Sequence, residues 1–176
     1  MLRRRVKLNK FAARDETPTP EQVRKNTFER AAKLLAAKPR SVAEMRERLL
    51  QGRGANKTIV ETVIARLQEY GYLDDEKFAF SYASSKLRQR PIGRQRLQRD
   101  LVLKKVNRAV ADEALNAVFA EIPEHELIER AIEKRIRLRG RPKDRAAAKK
   151  LFDHLLRQGF AFDLVSEKVR DLETDD

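Results

Sequence analysis

The sequence predicts an all-α protein, an elongated tandem array of three three-helix repeats with helix-turn-helix-like units. Three observations predict it. An apolar pair spaced by four recurs along the chain: Met45 and Leu49, then Leu97 and Leu101, then Leu151 and Leu155. Each pair is followed by another apolar residue (Leu50, Val102, Leu156). The apolar face of a further helix comes next: Val63, then Ala114 with Val118, then Val165 with Val169. Helix start and stop signals recur with the same period, and no segment shows convincing strand alternation. The charged fraction of 38%, against a usual ~25%, favours a thin modular core over one large globule.

The first unit, expected over 19–73, opens at TPTPEQ. Thr19 supplies an N-cap, Pro20 the first helical residue, and Gln22 the reciprocal contact of a capping box. This helix is predicted to run to about Ala37, because Pro39 disfavours helix in the residue before it. SVAE repeats the device, with Ser41 as cap and Glu44 reaching back, and Gly52 ends that helix. A third helix is predicted from near Asn56 to Gly71. Ile59, Val60, Val63, Ile64 and Leu67 give it a broad apolar face. The second unit, 74–121, reads as helices over Asp74–Arg90, Gly93–Lys104 and Asn107–Ala120. The third, 122–172, reads as Pro123–Arg139, Pro142–Gln158 and Asp163–Leu172. Residues 1–18 are expected to be a mobile basic arm, with six basic residues ahead of Asp15, and 173–176 an acidic tail. Units of ~50 residues lie near the lower limit for an independent core, so neighbours are expected to pack on one another.

Forty Lys and Arg against 27 Asp and Glu leave a net charge of +13 and a pI near 10.3. Such an excess favours a polyanionic partner, either nucleic acid or an anionic protein surface. The chain has no cysteine, which excludes disulfides, thiolate metal sites and cysteine nucleophiles. No apolar run approaches the ~18 residues that cross a bilayer. The basic start MLRRRVKLNKFAAR lacks the apolar core of a secretory signal. A cytoplasmic location without a membrane partner is expected. His125 and His154 stand alone in the sequence and read as surface or helix-face side chains. No phosphate loop and no G-x-S-x-G elbow is present, and QGRGA at 51–55 reads as a helix end and loop. With no catalytic constellation, the protein is expected to work without a cofactor or metal and not as an enzyme.

Asp74, Asp75 and Glu76 open the second unit. They read best as an N-cap and a first helical turn, where acids accept unpaired amide hydrogens and match the helix dipole. Phe78 with Tyr82, and Ala79 with Ala83, then form a face expected to pack one repeat on its neighbour, while Tyr72 and Leu73 staple the preceding turn. The alternative, a metal-binding carboxylate cluster for nuclease chemistry, finds no histidine nearby and no second acidic cluster.

Two segments concentrate positive charge. Between Lys86 and Arg108 stand nine basic residues and one acid, Asp100; between Arg130 and Lys150 stand ten basic residues and two acids, Glu133 and Asp144. With Leu97 and Leu101 facing inward, Arg96 and Arg99 are expected on the outward side of their helix. The candidate partner-binding residues are Arg88, Arg90, Arg94, Arg96, Arg99, Lys104 and Lys105 in the first segment. In the second they are Arg135, Arg137, Arg139, Arg141, Lys143 and Arg145. They suit phosphate or acidic side chains; a merely solvated face is the alternative.

The stretch GYLDDEKFAFSYASSK at 71–86 resembles the signature of the RecX family of recombination regulators. The segment LLAAKPRSVAEMRERLLQGRGANKTIVETVIARLQEYG is similar to that family's first repeat. PIGRQRLQRDLVLKKV resembles its G-x-x-R-I-x-x-E-L-x-x-K-G-[IV] segment through Gly93, Arg96, Leu97, Leu101, Lys104 and Val106. It departs at Asp100, where the family has Glu, and at Lys105, where it has Gly. The resemblance spans roughly Phe28 to Leu172. It implies tandem three-helix repeats that bind the RecA recombinase, lie in the groove of its filament on DNA, and inhibit its ATPase and strand exchange without being enzymes. The partners expected are therefore the RecA filament and DNA, single- or double-stranded, with the chain itself a monomer. A plain DNA-binding protein and a metal-dependent nuclease are the rival readings.

Overall fold

Helix caps written into the sequence set the frame. The computed structural model describes residues 18–174, with side chains described through Leu172. The expected arm lies outside the described residues except for Pro18, and so do the side chains of the acidic tail. The described chain is helical throughout: α1 (Pro20–Ala37), α2 (Val42–Leu50), α3 (Lys57–Glu69), α4 (Asp75–Gln89), α5 (Arg94–Leu103), α6 (Arg108–Glu121), α7 (Glu124–Arg139), α8 (Arg145–Gln158) and α9 (Phe162–Thr174). Both expected capping boxes form, Thr19 with Gln22 and Ser41 with Glu44. Asn56 caps α3 through the Ile59 amide at 2.9 Å, and Asp74 caps α4 through the Lys77 amide at 3.0 Å. That amide bond holds the Asp74 carboxyl below the ordinary carboxylate range.

The largest boundary difference from the sequence reading is at α8. α8 starts at Arg145 rather than at Pro142. Gly140 turns the chain at φ 80, and Asp144, extended at φ −152, takes the N-cap by accepting the Ala147 amide hydrogen at 2.7 Å. An aspartate able to cap outcompetes a proline that only fits the first turn.

The recurring apolar pairs are core in every repeat: Met45, Leu49, Leu97, Leu101 and Leu155 are fully buried, and Leu151 is nearly so. Each such side chain contributes about 1.5–3 kcal/mol. The core is divided unequally. Ala31, Met45, Leu49, Val60, Val63, Ile64, Leu67 and Leu73 close one cluster within α1–α3. A second cluster runs without a break from Phe78 on α4 to Val169 on α9, so the second and third repeats share one core. Phe78, Ala79, Ala83 and Leu87 face inward on α4, which lies mainly along α6 of its own repeat. This corrects the expectation that their face packs one repeat against its neighbour. Tyr72 of the expected staple is exposed, and Leu73 alone is buried.

The two junctions between repeats are built differently. Between the first and second, side chains make the contacts. Ser41 Oγ donates to the Lys104 carbonyl at 2.5 Å, and Asp75 accepts the Val42 amide hydrogen at 2.8 Å. Lys104 pairs with Glu44 at 2.9 Å, and Lys105 pairs with Glu47. Between the second and third, main chain meets main chain. The Gly93 and Gln95 amides donate to the Gln158 and Gly159 carbonyls, each at 3.0 Å, and Glu124 takes the Arg94 amide hydrogen at 2.8 Å. The N-terminus of α5 has no side-chain cap of its own, so the third repeat supplies one. Consecutive repeats joined end on end, each touching the next, give the elongated array.

Candidate partner-binding surface

The thirteen candidate cations fall into two groups once their surroundings are known. Five are tied to other repeats or helices, among them Arg141, which donates to the Leu172 carbonyl of α9 at 3.3 Å. Arg94 is half-buried and reaches Asn116 Oδ1 at 2.8 Å and the Asp112 carbonyl at 3.4 Å. Arg96, expected on the outward side of α5, is half-buried and leans across the second junction. Its guanidinium lies 3.5 Å from both the Arg157 carbonyl and Gln158 Oε1. Lys104 and Lys105 hold the first junction through Glu44 and Glu47.

Others open to solvent. Arg88 and Arg90 lie exposed at the end of α4, and Arg99 is exposed on α5. Asp100, the one acid of this segment, acts on Tyr82: burial first, and then that carboxylate, push the phenol above its ordinary range.

In the third repeat Arg135 is half-buried, and Arg137, Arg139, Arg141, Lys143 and Arg145 are exposed. Arg135, Arg139 and Arg141 meet Lys150 around a cleft of about 280 Å³ between α7 and α8, floored by Ile136, Ala147 and Leu151. Lys143 and Arg145 line a separate hollow beside Asp144 and Val169.

Asp74 caps its own helix as the sequence reading expects, but that reading missed two things here. The Asp75 carboxylate is spent across the junction, on the Val42 amide hydrogen. Burial holds the Asp75 carboxyl above the ordinary range, the cost of that placement. His154 is not solitary. It is half-buried on α8, and its imidazole is pushed below the ordinary range by burial and by the positive charges of Arg135 and Arg157. The signal was available: Lys150, His154 and Arg157 are spaced i, i+4, i+7 and share one face of their helix. Among the described residues, no group of three His, Asp or Glu side chains is placed to hold a metal ion. Among the same residues, no helix is long and apolar enough to cross a membrane.

This fold and surface define a class: a tandem array of three-helix, helix-turn-helix-type units with cationic faces. Residues 28–67 match the first three-helix domain of RecX, and residues 74–115 match the second. The regulatory protein RecX of Chlorobium limicola is 33% identical over 141 residues, which cover 79% of this chain and 84% of that one. That of Chlorobaculum tepidum is 31% identical over 150 residues, covering 85% and 90%. The Bacillus licheniformis regulatory protein RecX is 30% identical over 154 residues; the match takes in 86% of this chain but only 58% of that relative's length. The crystal structure of RecX from Lactobacillus salivarius superposes with a TM-score of 0.77 at 18% identity, over 88% of this chain and 99% of that one. The chain belongs to the RecX family.

Proposed function

We propose that the chain is a negative regulator of homologous recombination and DNA repair. It binds the RecA recombinase filament on DNA and inhibits the filament's ATPase and strand exchange, acting in the cytoplasm by binding rather than by catalysis. The observation that supports this reading best is membership of a family whose relatives are named regulatory proteins, in a chain built as a linear cationic array. A repeating partner suits a repeating scaffold. Units bounded at 73–74 and 121–122 would meet successive recombinase subunits, and several weak contacts made together gain avidity. In this reading Arg88, Arg90, Arg99 and the cations of 135–145 face the filament. Arg96, Lys104 and Lys105 set the angle between repeats.

The test is the DNA-dependent ATPase of RecA with this protein added below the recombinase concentration, then repeated with excess naked DNA. Inhibition that survives the excess DNA supports the filament as target. Inhibition relieved by DNA moves the second reading, a general nucleic-acid-binding protein, ahead. No inhibition removes the regulator reading. Arg88→Glu with Arg99→Glu is expected to abolish inhibition at unchanged helical content, because neither side chain holds a junction.

A further inference from the structure

Four cationic side chains, Arg135, Arg139, Arg141 and Lys150, line the α7–α8 cleft. Arg135 and Arg139 stand one turn apart on α7, and Lys150 faces them from α8. No acidic side chain lines the cleft. Arg141 closes its edge while donating to the Leu172 carbonyl at 3.3 Å.

The positive charge does not stop at the cleft. The charges of Arg135 on α7 and of Arg157, one turn further along α8, both act on His154. The Arg157 carbonyl in turn takes the Arg96 guanidinium of the second repeat. Lys150, His154 and Arg157 therefore form a row roughly 10 Å long at the ~1.5 Å rise of a helix. Asp153, on the same helix, is 4.0 Å from Lys149.

We propose that this cleft and row are a track for the phosphodiester backbone of a nucleic acid, running from Arg139 and Lys150 past His154 to the second junction. Three features favour that occupant over an acidic protein surface. The permanent charges of Arg135, Arg139, Lys150 and Arg157 are spread along α7 and α8 rather than around one point, with the uncharged imidazole of His154 among them. Guanidinium forks at Arg135 and Arg139 match the paired oxygens of a phosphate. The floor of Ile136 and Leu151 offers apolar contact to sugar carbons beside the charge. The proposal rests on the reading of the array as a binder of nucleoprotein, but its test needs no recombinase, so the two stand or fall separately.

The test uses the full chain and a fluorescein-labelled single-stranded oligothymidylate, with affinity followed by anisotropy over a salt series. Polyglutamate is titrated in parallel. Arg139→Gln with Lys150→Gln is expected to weaken oligonucleotide binding about tenfold. It should also lower the slope of log affinity against log salt by about 1.4, the worth of two phosphate contacts on a single strand at ~0.7 each. Arg139→Gln with Lys150→Arg should recover about half of that loss, one contact of the two. Both altered side chains are exposed, so the fold is retained, and circular dichroism of the variant checks this. Unchanged oligonucleotide affinity and slope would overturn the proposal. So would equal losses on both polymers, or a loss confined to polyglutamate, which would assign the cleft to an acidic protein.

Discussion

Asp75 accepts the amide hydrogen of Val42 at 2.8 Å, so the first residue of α4 completes the start of α2 in the repeat before it. Glu124 does the same for Arg94, at 2.8 Å, one repeat later. In both cases the first residue of a repeat's opening helix caps the first residue of the middle helix upstream. The array is thus held by a device that repeats with the helices.

Replacing Asp75 by alanine leaves the Val42 amide without its partner. A loss of about 1 kcal/mol is expected, read from the midpoint of urea unfolding. Asp75→Asn is expected to cost far less. Asparagine keeps the acceptor oxygen and removes the carboxylate whose burial raises its own pKa. Equal losses for the two variants would show that charge, not capping, matters there.

Gly93 and Gly159 let two backbones touch. A Cβ on Gly93 would sit 2.2 Å from the Gly159 carbonyl oxygen, and one on Gly159 would sit 2.4 Å from the Arg96 nitrogen. Gly159 also holds φ +89, which penalises any side chain. Gly93→Ala is expected to cost at least about 1–3 kcal/mol. Amide exchange at Gln95 should accelerate, because its acceptor is the Gly159 carbonyl. Slow exchange retained in the variant would mean that the junction yields without opening.

Lys105 occupies a left-handed position, φ 59, at the end of α5. Its amide bonds the Val102 carbonyl and that of Val106 bonds Leu101, a turn that favours glycine. Gly159 fills the matching place after α8. Lys105→Gly is expected to raise stability by about 0.5 kcal/mol, since ~1 kcal/mol of backbone strain exceeds an exposed ion pair with Glu47. Lys105→Ala keeps the strain and loses the pair, so its melting temperature should fall. Opposite signs for the two variants are the check.

His154 makes stability depend on pH. Burial, Arg135 and Arg157 depress its folded pKa, so the unfolded chain takes up the proton first. Stability therefore falls as the pH drops through the unfolded value near ~6.5 and levels off below the folded one. His154→Gln should flatten the curve below the unfolded value near ~6.5. An oligonucleotide in the α7–α8 cleft should move the imidazole resonance of His154 toward a higher pKa, observable by proton NMR.

The helices were legible because their starts are local. A Thr, Ser, Asn or Asp beside a periodic apolar run fixes a first turn without help from the rest of the chain. The paired core positions at 45 and 49, 97 and 101, and 151 and 155 were legible for the same reason. The junctions were not. Nothing near Asp75 or Glu124 in the sequence says that each caps a helix some thirty residues upstream. Arg96 shows the limit for the surface: helical periodicity puts it away from Leu97 and Leu101, but the third repeat lies there and half-buries it. The α7–α8 cleft likewise needs two helices brought together before its charges converge.

The borrowed cap of α5 has a consequence for how the protein is made. A chain emerging from the ribosome N-terminus first can finish α1–α3 around a core of their own. It then releases α5 with the amides of Gly93, Arg94 and Gln95 lacking their acceptors, which lie at Glu124, Gln158 and Gly159. The middle of the molecule must wait for its end. The first repeat, with its own core, is expected to collapse first, and the six helices that share the second core to complete theirs together.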